Sequence, residues 1–135
     1  MSNAKYDIKW YPNHSDNWDD KIFRREIVQL IGPDCRMLDL GAGAGIVEEM
    51  NFKSECAEVV GVDLDPRVTS NPFLHKGISA DVSNLPLPDA YFDLVISDNV
   101  MEHIDDPEKT LSEIARVLKP GGTLIFKTPN RFHYM

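Results

Sequence analysis

Met37-Leu38-Asp39-Leu40-Gly41-Ala42-Gly43-Ala44-Gly45 is the stretch whose reading decides how this chain folds. An apolar run closes on an acid, and glycines follow at 41, 43 and 45. Such a run is a buried strand that turns sharply and leaves bare backbone at its end. Gly41 takes the positive φ that a tight turn requires, and Gly43 lets a ligand approach the main chain without meeting a Cβ.

Working outward, Asp16 to Ile31 carries apolar residues at helical spacing, with Ser15, Asp16 or Asn17 as a cap and Gly32-Pro33 as a stop. The first strand is expected over Arg36 to Leu40, and a helix from Ile46 to Phe52 leaves the glycine turn. Glu58 to Asp63 reads as a second strand ending on an acid; Asp65 then caps a helix opened by Pro66. A short third strand falls near Gly77 to Ala80, before the Pro-rich loop Leu85 to Asp89. Phe92 to Ser97 is apolar enough to be a strand buried on both faces. Pro107 to Leu118 forms a striped helix stopped by Pro120-Gly121-Gly122, and Thr123 to Lys127 is a fifth strand. Strands alternating with helices predict an α/β fold: a doubly wound, Rossmann-like, mostly parallel sheet in one domain.

Composition narrows the partners. The chain has 135 residues, 42% hydrophobic and 27% charged, and a formal net charge of −8. That balance argues against a nucleic-acid backbone, whose binding is driven by clustered Lys and Arg. Cys35 and Cys56 lack metal-site or redox spacing, so a reducing cytoplasm is the expected compartment. No apolar run is long enough to cross a bilayer, and no membrane partner is expected. Met1 to Ala4 reads as a tag remnant.

In a doubly wound sheet, ligands bind beyond the carboxyl ends of the strands. Four groups fall there: the glycine turn, Asp63, Asp81 and the pair Ser97-Asp98. Asp63 lies 22 positions past Gly41, close to the spacing of about 20 expected for an acid that grips ribose hydroxyls. A ribose leaves dinucleotides and S-adenosylmethionine as the main choices. The dinucleotide fingerprint needs glycine where Ile46 stands, and Asp39 would repel a pyrophosphate while attracting an ammonium or sulfonium. Both details favour S-adenosylmethionine over a nicotinamide cofactor. Asp81 has a competing role as a turn cap, and Asp39 one as an organiser of the glycine loop.

Four motifs then carry a resemblance: Leu38 to Gly45, Val60 to Pro66, Ala80 to Pro88 running into Phe92 to Ser97, and Glu102 to Pro107 through Leu118 to Leu124. In these the chain resembles the class I S-adenosylmethionine-dependent methyltransferases of the type 11 group, near the quinone-biosynthesis and related small-molecule enzymes. The resemblance implies that Gly41, Ala42 and Gly43 lie under the methionine part and that Asp63 holds the ribose. It implies also that Leu64 packs on the adenine, that Asp81 and the Val82 amide read its polar edge, and that Asp98 stands near the methionine end. Asp39 matches the acid before the turn, often acting through water.

The reaction implied is methyl transfer to a small-molecule acceptor. Among Asp98, Asn99, Glu102 and His103, the histidine is the candidate catalytic base, against a structural role under the loop. Glu102, His103, Asp105 and Asp106 have no metal-ligand spacing signature, and no metal is expected. Tyr6, Trp10 and Tyr11, with Trp18 as a weaker member, suggest that residues 5–35 form a lid segment and first helix ahead of a core over 36–135. The family sheet has seven strands, whereas about five are visible here, in the implied order 3-2-1-4-5. The expectation is therefore a C-terminally truncated core, with strand five as a bare edge through which a homodimer would form. A truncated module that binds the cofactor without catalysis is the alternative reading.

Overall fold

The structure is a computed structural model that describes residues 18–129. Five strands make one sheet: β1 (Arg36–Leu40), β2 (Glu58–Asp63), β3 (Lys76–Ser79), β4 (Phe92–Asp98) and β5 (Leu118–Lys127). Their order is β3-β2-β1-β4-β5, and every neighbouring pair is parallel. Sheet and order agree with the sequence reading.

Parallel strands this apolar need cover on both faces, because each buries every second side chain to either side. Met37 of β1 packs to one side with Val59, Leu94 and Ile96, under Phe23 and Ile27 of helix α1 (Trp18–Val28). Leu38 and Leu40 pack to the other with Val60, Val62, Phe92 and Val95, under Ile114 and Val117 of helix α2 (Pro107–Val117). Asp106 caps α2 by accepting from the Lys109 amide at 3.0 Å. Strand β5 starts earlier than expected, at Leu118, because the register against β4 shifts between Phe92 and Leu94 and absorbs Gly121 at φ +81°.

Two expected α-helices do not form. Ile46 to Phe52 is not an α-helix; only a 3-10 turn forms, over Glu48–Met50. Gly45 holds φ +76°, Asn51 is extended, and Phe52 is fully buried in the α1-side core. Arg24 of α1 donates to the carbonyls of Glu49 and Asn51 at 3.0 and 2.9 Å, which draws those acceptors out of any helical ladder. The segment opened by Pro66 is likewise a 3-10 turn, over Pro66–Ser70, capped by Asp65 as read. Its Val68 carbonyl sits where a Cβ on Gly77 of β3 would overlap it, so the glycine sets how close β3 lies.

Cys35 and Cys56, distant in sequence, are both buried free thiols in contact at the opposite end of the sheet from the glycine loop. Burial, with the Cys35 thiol second, pushes the Cys56 thiol up to about 12. Tyr6, Trp10 and Tyr11, the Trp18 side chain and the residues read as a tag remnant lie outside the described part. Among the described residues, no helix is long and apolar enough to cross a membrane.

Candidate active site

The glycine loop is shaped by other elements reaching into it. The amides of Gly41 and Ala42 both turn back to the carbonyl of Val62 at the end of β2, at 2.7 and 3.4 Å. Gly41 and Gly43 hold φ +74° and +62°, which an L side chain resists. Asp63 accepts from the Gly43 amide through Oδ2 and from the Asp65 amide through Oδ1, both at 2.9 Å. Those bonds use two of about four acceptor positions on a carboxylate, leaving the others free for a ligand's hydroxyls.

A second tether was not legible in the sequence. Asn71 is buried, and its side-chain amide donates to the carbonyls of Ala42 and Gly43, each at 3.1 Å. Its Oδ1 accepts from the Phe73 amide at 2.8 Å and occupies the space a Cβ on Gly45 would need. The only signal available was an asparagine before a proline, which reads as a turn. Gly45, superfluous to a dinucleotide fingerprint, is explained by this contact.

Two hollows meet over Gly41. The first, of about 310 Å³, is lined by Asp39, Gly41, Ala42, Gly43 and Asp98, with Asn71 and Arg67. The second, of about 280 Å³, is lined by Gly41, Asp63, Leu64, Asp81 and Val82, with His103 and Val100. Val100 covers Gly41 so closely that a Cβ there would overlap its side chain. Every residue singled out as a cofactor contact thus borders this one cleft. His103 does as well, but exposed, beside Asp63 and Asp81 rather than beside Asp39 and Asp98. Its amide donates to the Val100 carbonyl at 2.9 Å in a 3-10 turn over Met101–His103.

The electrostatics differ between the hollows. Asp81 accepts from the amide and hydroxyl of Ser83, both at 2.8 Å, which holds its carboxyl below the usual range. The turn-capping role is therefore real, and one oxygen stays free. Asp39 is buried, and desolvation, with the charges of Asp98 and Asp63, pushes its carboxyl up to about 8. Burial also raises Asp98, although Lys127 stands 3.0 Å away as an ion pair, at an angle outside that of a hydrogen bond. Lys127 ties the end of β5 to α1 as well, pairing with Asp19 at 2.9 Å and Asp20 at 2.7 Å. Among the described residues, no cluster of three metal-ligating side chains exists.

This geometry bears comparison with known proteins. A family model described as a methyltransferase domain matches residues 38–126. The chain belongs to that family. It is 35% identical over 108 residues to a ubiquinone biosynthesis O-methyltransferase of Hahella chejuensis, covering 73% of this chain and 45% of that protein. It is 33% identical over 121 residues to a probable S-adenosylmethionine-dependent methyltransferase of Mycobacterium tuberculosis, covering 83% of this chain and 44% of the relative. The chain thus spans about half the length of these curated relatives. In fold it is similar to the YcgJ protein of Bacillus subtilis, with a TM-score of 0.68 at 24% identity, over 80% of this chain and 49% of that one.

Proposed function

We propose that this methyltransferase domain binds S-adenosylmethionine in the cleft over the glycine loop, and that the protein it belongs to methylates a small-molecule acceptor. The observation that carries the reading is the Asp63 carboxylate, fastened to the Gly43 amide while bordering the second hollow beside Leu64 and Asp81. A carboxylate with free acceptor positions suits a vicinal diol, because charge-assisted hydrogen bonds are the strong ones. Leu64 is exposed, an apolar surface on which a purine can lie. Asp81, with one oxygen unused by its turn, and the Val82 amide supply polar partners for the purine edge.

The first hollow suits the other end of the molecule. Bare backbone at Gly41 and Gly43 allows close approach, and the carboxyls of Asp39 and Asp98 suit a positively charged amino acid portion. An anionic pyrophosphate would meet those same acids, which disfavours a dinucleotide. When bound, the cofactor supplies an electrophilic methyl group; the protein's share is alignment and exclusion of water. His103, at the rim of the second hollow, is the candidate to take a proton from an acceptor hydroxyl. The ubiquinone-pathway relative, an O-methyltransferase by name, supports an acceptor of that size and kind.

Calorimetric titration with S-adenosylmethionine, and separately with a nicotinamide dinucleotide, tests the reading. Binding of the first alone is expected; binding of the dinucleotide alone overturns it. Since the chain spans about half of its relatives, a binding module without turnover is the second reading. Methyl transfer from labelled cofactor to a panel of small hydroxyl-bearing acceptors separates the two.

A further inference from the structure

Among the described residues, three buried side-chain atoms have no hydrogen-bond partner: Ser97 Oγ, Asp98 Oδ1 and Thr110 Oγ1. Such atoms are uncommon in folded chains, and each calls for a cause. Asp98 has one, since Lys127 balances its charge from 3.0 Å. Ser97 is fully buried in β4 and lines neither hollow. Thr110 differs from both. It is fully buried on α2, yet it borders the second hollow.

The helix makes no use of this hydroxyl. A threonine inside a helix often returns its hydroxyl to the carbonyl four residues earlier. Here that carbonyl, on Asp106, accepts the Thr110 amide at 3.1 Å, and the hydroxyl makes no bond to it. Polar groups around the same hollow are engaged with one another. The Asp106 carboxylate accepts from the Lys109 amide, and the Ser83 amide and hydroxyl both go to Asp81. An apolar side chain of the same shape would fill this place in the core without stranding a polar atom.

We propose that Thr110 is a further cofactor-binding residue, whose hydroxyl closes a hydrogen bond with the edge of a purine seated in the second hollow. The inference rests on the reading of this cleft as an S-adenosylmethionine site. A purine edge carries ring nitrogens that accept and an exocyclic amine that donates, and a hydroxyl serves either. Threonine in a helix has two accessible χ1 rotamers, so the hydroxyl can turn toward the purine with no change in the backbone. The ligand-free chain bears the unpaired oxygen, and binding relieves it.

That division gives one substitution two readouts of opposite sign. Thr110→Val keeps the shape and removes the stranded oxygen, so the ligand-free chain is expected to unfold at the same or a higher urea concentration. Its affinity for S-adenosylmethionine, measured by calorimetric titration, should fall by about 3- to 10-fold, the value of one hydrogen bond. Thr110→Ser keeps the hydroxyl and should recover most of that loss. Methylthioadenosine, which has the purine and ribose without the amino acid portion, locates the contact: Thr110→Val should weaken it by the same factor. Equal affinity of Thr110→Val and the unsubstituted chain overturns the proposal, as does a loss seen with S-adenosylmethionine but not with methylthioadenosine. A Thr110→Ser chain as weak as Thr110→Val also overturns it, and so does a lower urea midpoint for Thr110→Val, which would make the hydroxyl part of the fold. No binding of S-adenosylmethionine by the unsubstituted chain overturns the cofactor reading itself, and this inference with it.

Discussion

Asn71 and Gly45 form a pair whose energetic coupling is calculable from their contacts. Asn71→Ala removes the two bonds to the loop carbonyls and the one from Phe73. At about 1 kcal/mol net for each bond, the variant loses about 2–3 kcal/mol. Gly45→Ala places a Cβ at φ +76° and into the Asn71 side chain. The backbone strain costs about 1 kcal/mol, and pushing Asn71 aside forfeits its bonds as well, for about 3–4 kcal/mol altogether. In the double variant the side chain that would be displaced is already gone. Its cost is therefore about 3–4 kcal/mol rather than the sum of the singles, leaving a coupling of about 2–3 kcal/mol. Urea unfolding of the four proteins, followed by far-ultraviolet circular dichroism, measures the cycle. Costs that add to within about 0.5 kcal/mol would refute the idea that Asn71 is what reserves that position for glycine.

Other outcomes are expected from the same geometry. Asp63→Ala should weaken S-adenosylmethionine binding by about 10- to 100-fold, the value of charge-assisted hydrogen bonds to a ligand; unchanged affinity by calorimetry would remove Asp63 from the site. Gly77→Ala, remote from the cleft, should cost about 2–3 kcal/mol because its Cβ overlaps a backbone carbonyl that cannot rotate away; an unchanged urea midpoint would contradict the close packing of β3. Asp39 also shapes stability against pH. Its carboxyl is raised to about 8 in the folded chain, so its contribution is full below the ordinary carboxylate range and is lost as pH rises through about 8, at up to about 1.4 kcal/mol per unit. Asp39→Asn should flatten that fall, and parallel slopes for the two proteins between pH 5 and 9, roughly, would show that Asp39 is already ionised.

The centre of the sheet was readable because β1, β2 and β4 are short apolar runs with an acid at or next to their last residue, a pattern local to each strand. Asp63 was found by its spacing from Gly41, since β2 follows β1 through a connection of nearly fixed length. The segment after Gly45 misled because Ile46 to Phe52 looks helical in isolation, while Arg24, far away in sequence, captures its carbonyls. Asn71 was invisible for a similar reason: its partners at Ala42 and Gly43 lie 29 and 28 positions earlier. His103 was read as the candidate base among residues just after β4; the chain breaks at Asn99, which has φ +55°, and His103 borders the hollow on the Asp63 side.

The way the loop is anchored has a consequence for protein engineering. Residues 38–45 do not carry their own shape, because Val62, Asp63 and Asn71 hold four of its peptide groups from outside. Grafting that octapeptide alone onto a new scaffold would transfer the glycines without their conformation. The smallest portable unit runs to Phe73, whose amide keeps Asn71 oriented.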